Sequence, residues 1–282
     1  MTVRRLLAAA ALCAAVLWVT PAHAQQTAQP AAPAERDPDL NLNALQPDFT
    51  LSSLPTTLRL PRYKFDFRVT HRFGRPLGQG DFDDLLADFF GLDSSALIGL
   101  ELRFGFFRGT QGGIYRLNDR TIEFFVEHSV MQESESRPIG LTAYAADDGT
   151  NNFTDSYSPA LGAIVSRTVG RLGTVYAEPI WVNNTNPLPA EVVDHNSTFM
   201  LGLGGRFRVR RTVYVVVEAA PRLAGYDPDT THWTVGLEKL VGGHMFQINF
   251  SNAVGTTISQ IARGGTSNDV FLGFNITRKF WR

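Results

Sequence analysis

Cysteine is almost missing from this chain of 282 residues: the only one is Cys13. Lysine is nearly as scarce, at positions 64, 239 and 279 only, so the cations are overwhelmingly Arg. No run of about 20 apolar residues occurs, which excludes a helical membrane protein. No charge sign dominates either, since the formal net charge is -1, and a basic surface for nucleic acid is excluded. What the chain does have is 25 Gly, 20 Phe, 7 Tyr and 4 Trp, too many aromatics for bulk disorder. Its mean hydropathy is -0.08, the value of an ordinary soluble domain.

The first 24 residues read as a signal peptide. Arg4 and Arg5 form a charged start, Leu6 to Val19 is an apolar stretch too short to span a bilayer as a helix, and Ala22-His23-Ala24 is a small-x-small cleavage pattern. Cys13 lies inside that stretch and follows Leu12, which does not fit a lipoprotein cleavage site. A mature chain from Gln25 has no cysteine, hence no disulfide, thiolate metal site or cysteine nucleophile. Residues 25–56, rich in Pro, Ala and Gln, then Asp and Asn, read as a flexible periplasmic tail. Residues 57–282 form one domain.

From Lys64 onward the apolar residues recur with period two. Phe65, Phe67, Val69, His71 and Phe73 alternate with Lys64, Asp66, Arg68, Thr70 and Arg72. Similar alternation predicts about twelve strands, near 62–74, 95–105, 109–117, 120–131, 137–147, 157–169, 173–183, 197–209, 212–222, 231–240, 243–252 and 268–281. Alternation alone does not say which face meets what. A soluble barrel turns its apolar face inward and a membrane barrel turns it outward. The polar face here carries Gly, Asn, Gln and charges of both signs. Short connections alternate with long ones near 75–94, 148–156, 184–196 and 253–267. Trp181, Trp233 and Trp281 fall near strand ends, where an aromatic girdle would sit. These features favour an all-β, antiparallel up-and-down transmembrane β-barrel of about 12 strands in a bacterial outer membrane, with its N-terminus on the inner side. Closure removes the unpaired edges that lipid does not tolerate. In the first long loop, Asp81 to Leu92 reads as a short amphipathic helix, either plugging the lumen or resting on the rim.

Particular segments carry a resemblance. His71-Arg72-Phe73-Gly74, Phe90-Gly91-Leu92-Asp93 and Arg120-Thr121-Ile122-Glu123-Phe124-Phe125 are followed, near the end, by Glu238, Gly242-Gly243-His244, Phe246-Gln247, Asn252 and Gly273-Phe274-Asn275-Ile276-Thr277-Arg278-Lys279-Phe280. Over roughly residues 60–281 the chain resembles an uncharacterised family of bacterial outer-membrane β-barrel proteins, a domain of unknown function. The resemblance implies the barrel and its location, and brings no catalytic residues and no substrate. Arg282 departs from the terminal aromatic that the barrel-assembly machinery often reads.

By parity the lumen is lined by Lys64, Asp66, Arg68, Arg72, Glu101, Arg103, Glu123, Glu127, Glu178, Arg206, Arg208, Glu218, Glu238, Gln247, Asn249 and Asn275. Lipid meets Phe65, Phe67, Leu100, Leu102, Leu201, Leu203, Val215, Trp233, Phe246, Ile248, Leu272 and Phe274. Arg forms planar, bidentate pairs with carboxylates, so the lumen residues fit cross-strand ladders. Such ladders either line a narrow polar channel for a small solute or merely rigidify a closed interior. Lipid-facing Leu201→Arg is expected to impair assembly, and Gly202→Arg to be better tolerated if Gly202 faces a roomy lumen. A non-conducting scaffold that meets partners through its long loops or its tail is the second reading. A lipid-face enzyme is the third, and the sequence disfavours it: His71 and His128 share an outward parity but lie near opposite strand ends, and no serine of lipase pattern adjoins either. His244 reads as a backbone-bonded histidine. No cofactor or metal is expected. The expected partners are outer-membrane lipid, the assembly machinery and a small polar solute.

Overall fold

The computed structural model describes residues 37–88, 95–188, 195–227 and 230–282. The signal peptide, residues 25–36 of the tail and the end of the expected loop helix lie outside these residues. Thirteen strands form one sheet: β1 (Phe65–Phe73), β2 (Ala96–Phe107), β3 (Thr110–Leu117), β4 (Ile122–Met131), β5 (Gly140–Gly149), β6 (Asp155–Val169), β7 (Gly173–Asn183), β8 (Ser197–Arg210), β9 (Val213–Ala220), β10 (Arg222–Gly225), β11 (His232–Val241), β12 (His244–Ser251) and β13 (Phe271–Lys279). Neighbours pair antiparallel, β1 pairs with β13, and β8 pairs with β9, which closes a twelve-strand barrel. The extra strand, β10, runs on from β9 along the same partner, β8, after a break at Pro221. Proline has no N–H to give the ladder there, although its carbonyl still accepts from the Leu201 amide.

The period-two pattern works because each strand must satisfy lipid on one face. On the outward face Leu100, Leu237 and Ile248 are 50%, 56% and 57% exposed, while their inward neighbours Glu101, Glu238 and Gln247 are 3%, 1% and 3% exposed. Phe65, Leu102, Leu203 and Phe246 also lie exposed on the outer wall. Phe67, Leu201, Val215, Trp233, Leu272 and Phe274 are half-covered by neighbours there. The hairpin turns are tight at one end. Between β11 and β12 the link is Gly242-Gly243 alone, with Gly242 at φ 58°, the left-handed backbone that a two-residue hairpin requires.

Two segments fill the barrel. The first corrects the expectation of a flexible tail over 25–56: its described part enters the lumen, and Asp48 to Leu54 are buried. Residues 49–56 form a small hairpin, with the Leu51 amide donating to the Leu54 carbonyl (2.8 Å) and the Thr56 amide to the Phe49 carbonyl (2.8 Å). The second is the loop helix Ile258–Ala262, capped by Thr257 and Gln260 and buried at Ile258, Ser259, Ile261 and Ala262. The helix expected in the first long loop exists, as Phe82–Ala87 with Asp81 as its cap. It leaves Phe82 and Leu86 exposed, so it does not plug the lumen.

Candidate functional site: the filled lumen

The interior has a polar wall and an apolar wall. On the polar side, charged groups form a chain across β1 to β4. Arg68 Nε donates to Glu101 Oε2 (2.8 Å), Arg103 Nε to Glu101 Oε1 (3.1 Å) and Arg103 Nη1 to Glu127 Oε1 (2.7 Å). A second pair joins β8 to β11, with Arg206 Nε and Nη2 at 2.7 and 2.9 Å from the Glu238 carboxylate. Gln247 bonds Glu238, and Asn275 and Asn249 both donate to Gln247. All these side chains are buried.

Much of this wall ends on main chain of the hairpin rather than on other wall groups. At the hairpin tip the amides of Ser52, Ser53 and Leu54 converge on the Glu218 carboxylate at 3.0–3.1 Å. Successive N–H groups in a turn make an anion-holding concavity, here filled by the protein's own carboxylate. The Ser52 carbonyl accepts from Arg68 Nη1 (3.2 Å) and Asn275 Nδ2 (2.8 Å), and Arg72 Nη2 reaches Ser52 Oγ (3.1 Å). Gln247 donates to the Leu51 carbonyl, Arg206 to the Thr50 carbonyl, and Lys279 Nζ to Asp48 Oδ1 (2.6 Å). Gln111 brackets the exit, giving its amide to the Leu58 carbonyl and accepting from the Leu60 amide.

The apolar wall was not anticipated. Ile164, Ile180, Val182, Met200 and Val216 point inward from β6 to β9 and pack with hairpin Leu51 and Leu54 and with helix Ile258 and Ile261. It leaves no room beside Gly202, so the condition for tolerating Arg there is not met. A Cβ at Gly204 would come within 2.2 Å of the Leu51 side chain, and one at Gly202 within 3.2 Å of Leu54 and 3.0 Å of the Glu178 Cβ. The inward glycines of β8 are seats for the two hairpin leucines. The sequence held a signal for this wall: Tyr214 and Val216 lie between Val213, Val215 and Val217, so β9 is apolar on both faces. Such a strand needs an apolar partner inside as well as lipid outside.

The loop helix closes the remaining space. Thr257 Oγ1 donates to Asp148 (2.7 Å), Ser259 also bonds Asp148, the Ile258 amide donates to Glu123 (2.9 Å), and Tyr115 pairs with Thr256 (2.6 Å). Tyr115 fits because Gly99, diagonal to it on β2, has no side chain: a Cβ there would lie 2.4 Å from the ring. Between hairpin, helix and wall a cavity of about 20 Å³ remains, room for about one water.

Among the residues assigned to the lumen, two lie elsewhere. Lys64 precedes β1 and is exposed; Arg208 is half-exposed near the β8–β9 turn and donates to the Arg211 carbonyl. Both alternate correctly but fall at the barrel mouth. Glu178 is fully buried, and neither of its carboxylate oxygens has a hydrogen-bond partner. Asp66 is buried with one such oxygen. Trp281 does not join an outer girdle; it packs on hairpin Phe49, ring centres 6.0 Å apart. On the outer wall His71 stacks on Phe274 and His128 shares a hydrogen bond with Thr110 (2.8 Å). His244 meets the Arg278 guanidinium at 3.4 Å rather than a carbonyl. Among the described residues, no three His, Asp or Glu side chains gather in a metal-binding group.

The profile of a membrane-bound β-barrel domain, DUF5777, matches residues 48–280. The chain belongs to that family. The DUF5777 match begins at Asp48, so the lumen hairpin falls within the family's domain and is no appendage to it. No curated protein matches the chain. Similar solved structures include the outer membrane channel from Pseudomonas putida F1, at 12% identity over 78% of this chain and 97% of that one, with a TM-score of 0.47. Outer membrane phospholipase A from Escherichia coli is 10% identical over 86% of this chain and 100% of that one, with a TM-score of 0.44. The Acinetobacter baumannii outer membrane protein Omp33 is 9% identical over 77% and 98%, with a TM-score of 0.42.

Proposed function

We propose that this chain is an outer-membrane barrel, closed at rest by its own N-terminal hairpin, that passes or binds a small polar solute when the hairpin moves. The observation that carries this reading is the Glu218 clamp. One carboxylate holds three consecutive hairpin amides, and the remaining ties to the tip come from Arg68, Arg72, Gln247 and Asn275. These are groups that a polar solute or water can satisfy in turn once the hairpin leaves. Planar-bilayer recording tests it, using full-length protein, Glu218→Ala and a deletion of residues 37–60, each checked for folding by heat-modifiable migration. The wild type is expected to be silent or nearly so, Glu218→Ala to open intermittently and the deletion to conduct steadily. Folded variants that stay silent would remove the channel reading.

One observation favours a second reading, a non-conducting scaffold. Leu51 and Leu54 sit in a dry apolar cluster with Ile180, Met200 and Val216, a contact that resists exchange with water. In that case all three proteins are silent, and the long loops near 148–156 and 184–196 are where crosslinking finds partners.

A further inference from the structure

On the outer wall at the turn end of β9, β11, β12 and β13, apolar side chains meet cations. Leu237, Phe246, Ile248, Phe274 and Ile276 line an open apolar groove of about 510 Å³, and Lys239 stands at its edge nearest the turns. In register, Lys239 on β11 lies opposite Phe246 on β12, and Phe246 lies opposite Ile276 on β13. One step toward the turns, His244 lies opposite Arg278. Lys239 and Arg278 therefore flank β12 from the two neighbouring strands, about 12 Å apart at the backbone. Lys239 leans toward the turns, where its Nζ donates to Thr212 Oγ1 (2.9 Å). This is the posture of a lysine whose stem lies in lipid and whose charge seeks the headgroups.

The charge here is one-sided. Residues 208–213, 239–246 and 276–282 contain no Asp or Glu. Arg210, Arg211, Lys239 and Arg282 are exposed and Arg278 is half-exposed. None of these five makes an ion pair among the described residues. The nearby acid on β11, Glu238, faces inward and is spent on Arg206. An apolar trough ending under unpaired cations, at headgroup depth, is complementary to one molecule with an acyl chain and a phosphate.

We propose that this groove and its basic rim form a binding site for a single anionic glycerophospholipid, with one acyl chain along Leu237, Ile248 and Phe274 and the phosphate between Lys239 and Arg278. Short turns mark the periplasmic end of such barrels, so the lipid belongs to the inner leaflet of the membrane. The proposal is independent of whether the lumen conducts.

Native mass spectrometry of the full-length protein, released from mixed micelles, tests it with phosphatidylglycerol, phosphatidylethanolamine and lipid A as competing probes. The wild type is expected to retain one phosphatidylglycerol in clear preference to phosphatidylethanolamine. Removing two interfacial charges in K239Q/R278Q should cut that preference about five-fold per charge. Ile248→Trp, which fills the groove and leaves the cations, should reduce retention of both phospholipids. Arg171→Gln, on the β6–β7 turn across the barrel, should change nothing. Absence of a preference in the wild type, its survival in K239Q/R278Q, or stronger retention of lipid A than of phosphatidylglycerol would overturn the assignment.

Discussion

Arg103 sits between Glu101 and Glu127 with its guanidinium over the Phe125 ring, 4.4 Å from ring centre to charge. Charges so placed are costly to bury, and what they secure is register rather than raw stability. Arg103→Ala should therefore destabilise the barrel by about 3–5 kcal/mol, because buried Glu127 loses its cationic partner and Glu101 is left with Arg68 alone. Arg103→Met combined with Glu127→Leu should recover much of that loss, as read from urea unfolding in detergent; equal damage from both variants would contradict the account. At positions 201 and 202 the alternation holds, and the space inside Gly202 is already taken by Leu54 and Glu178. Leu201→Arg puts a charge against lipid at about 2–4 kcal/mol near mid-depth. Gly202→Arg drives a long side chain into Leu54 and Glu178. Both should assemble poorly, and normal assembly of Gly202→Arg would mean the hairpin is absent from the lumen.

At the scale of elements, strands were readable in a way that inserts were not. Most strands announce themselves locally by alternation, so Phe246, Ile248 and Phe250 beside Gln247 and Asn249 specify β12 without reference to any other segment. The lumen hairpin has no such signature. Its amides are satisfied by Glu218, some 164–166 positions away, and its carbonyls by Gln247 and Asn275, 196 and 223 positions away. A segment whose main chain is paired by remote side chains looks, in sequence, like a linker. The Ile258–Ala262 helix is similar, since Asp148 and Glu123 hold it from other strands. Asp148→Ala should loosen that helix alone. Hydrogen exchange should rise at residues 256–262 while β4 and β5 stay protected; protection unchanged at the helix would show that its apolar contacts suffice without the cap.

Taken whole, the molecule is bipolar inside and mostly apolar on its membrane wall. The inside-out pattern explains why a mean hydropathy near zero describes a membrane protein: outward apolar and inward polar residues average out over the sheet as a whole. It also explains why the fourteen inward positions of the sixteen expected looked like a channel lining. Their chemistry suits water and suits a peptide main chain equally well. Only the fold, by seating Leu51 over Gly204 and Leu54 beside Gly202, shows that the occupant is protein.

The hairpin's ties have a consequence for how the chain comes together. They reach β1 through Arg68 and Arg72 and β13 through Asn275 and Lys279, the two strands whose pairing closes the ring. A segment that precedes every strand in the chain thus holds both lips of the seam. It is a mandrel inside the sheet, a single shared anchor for the two strands that meet at the seam.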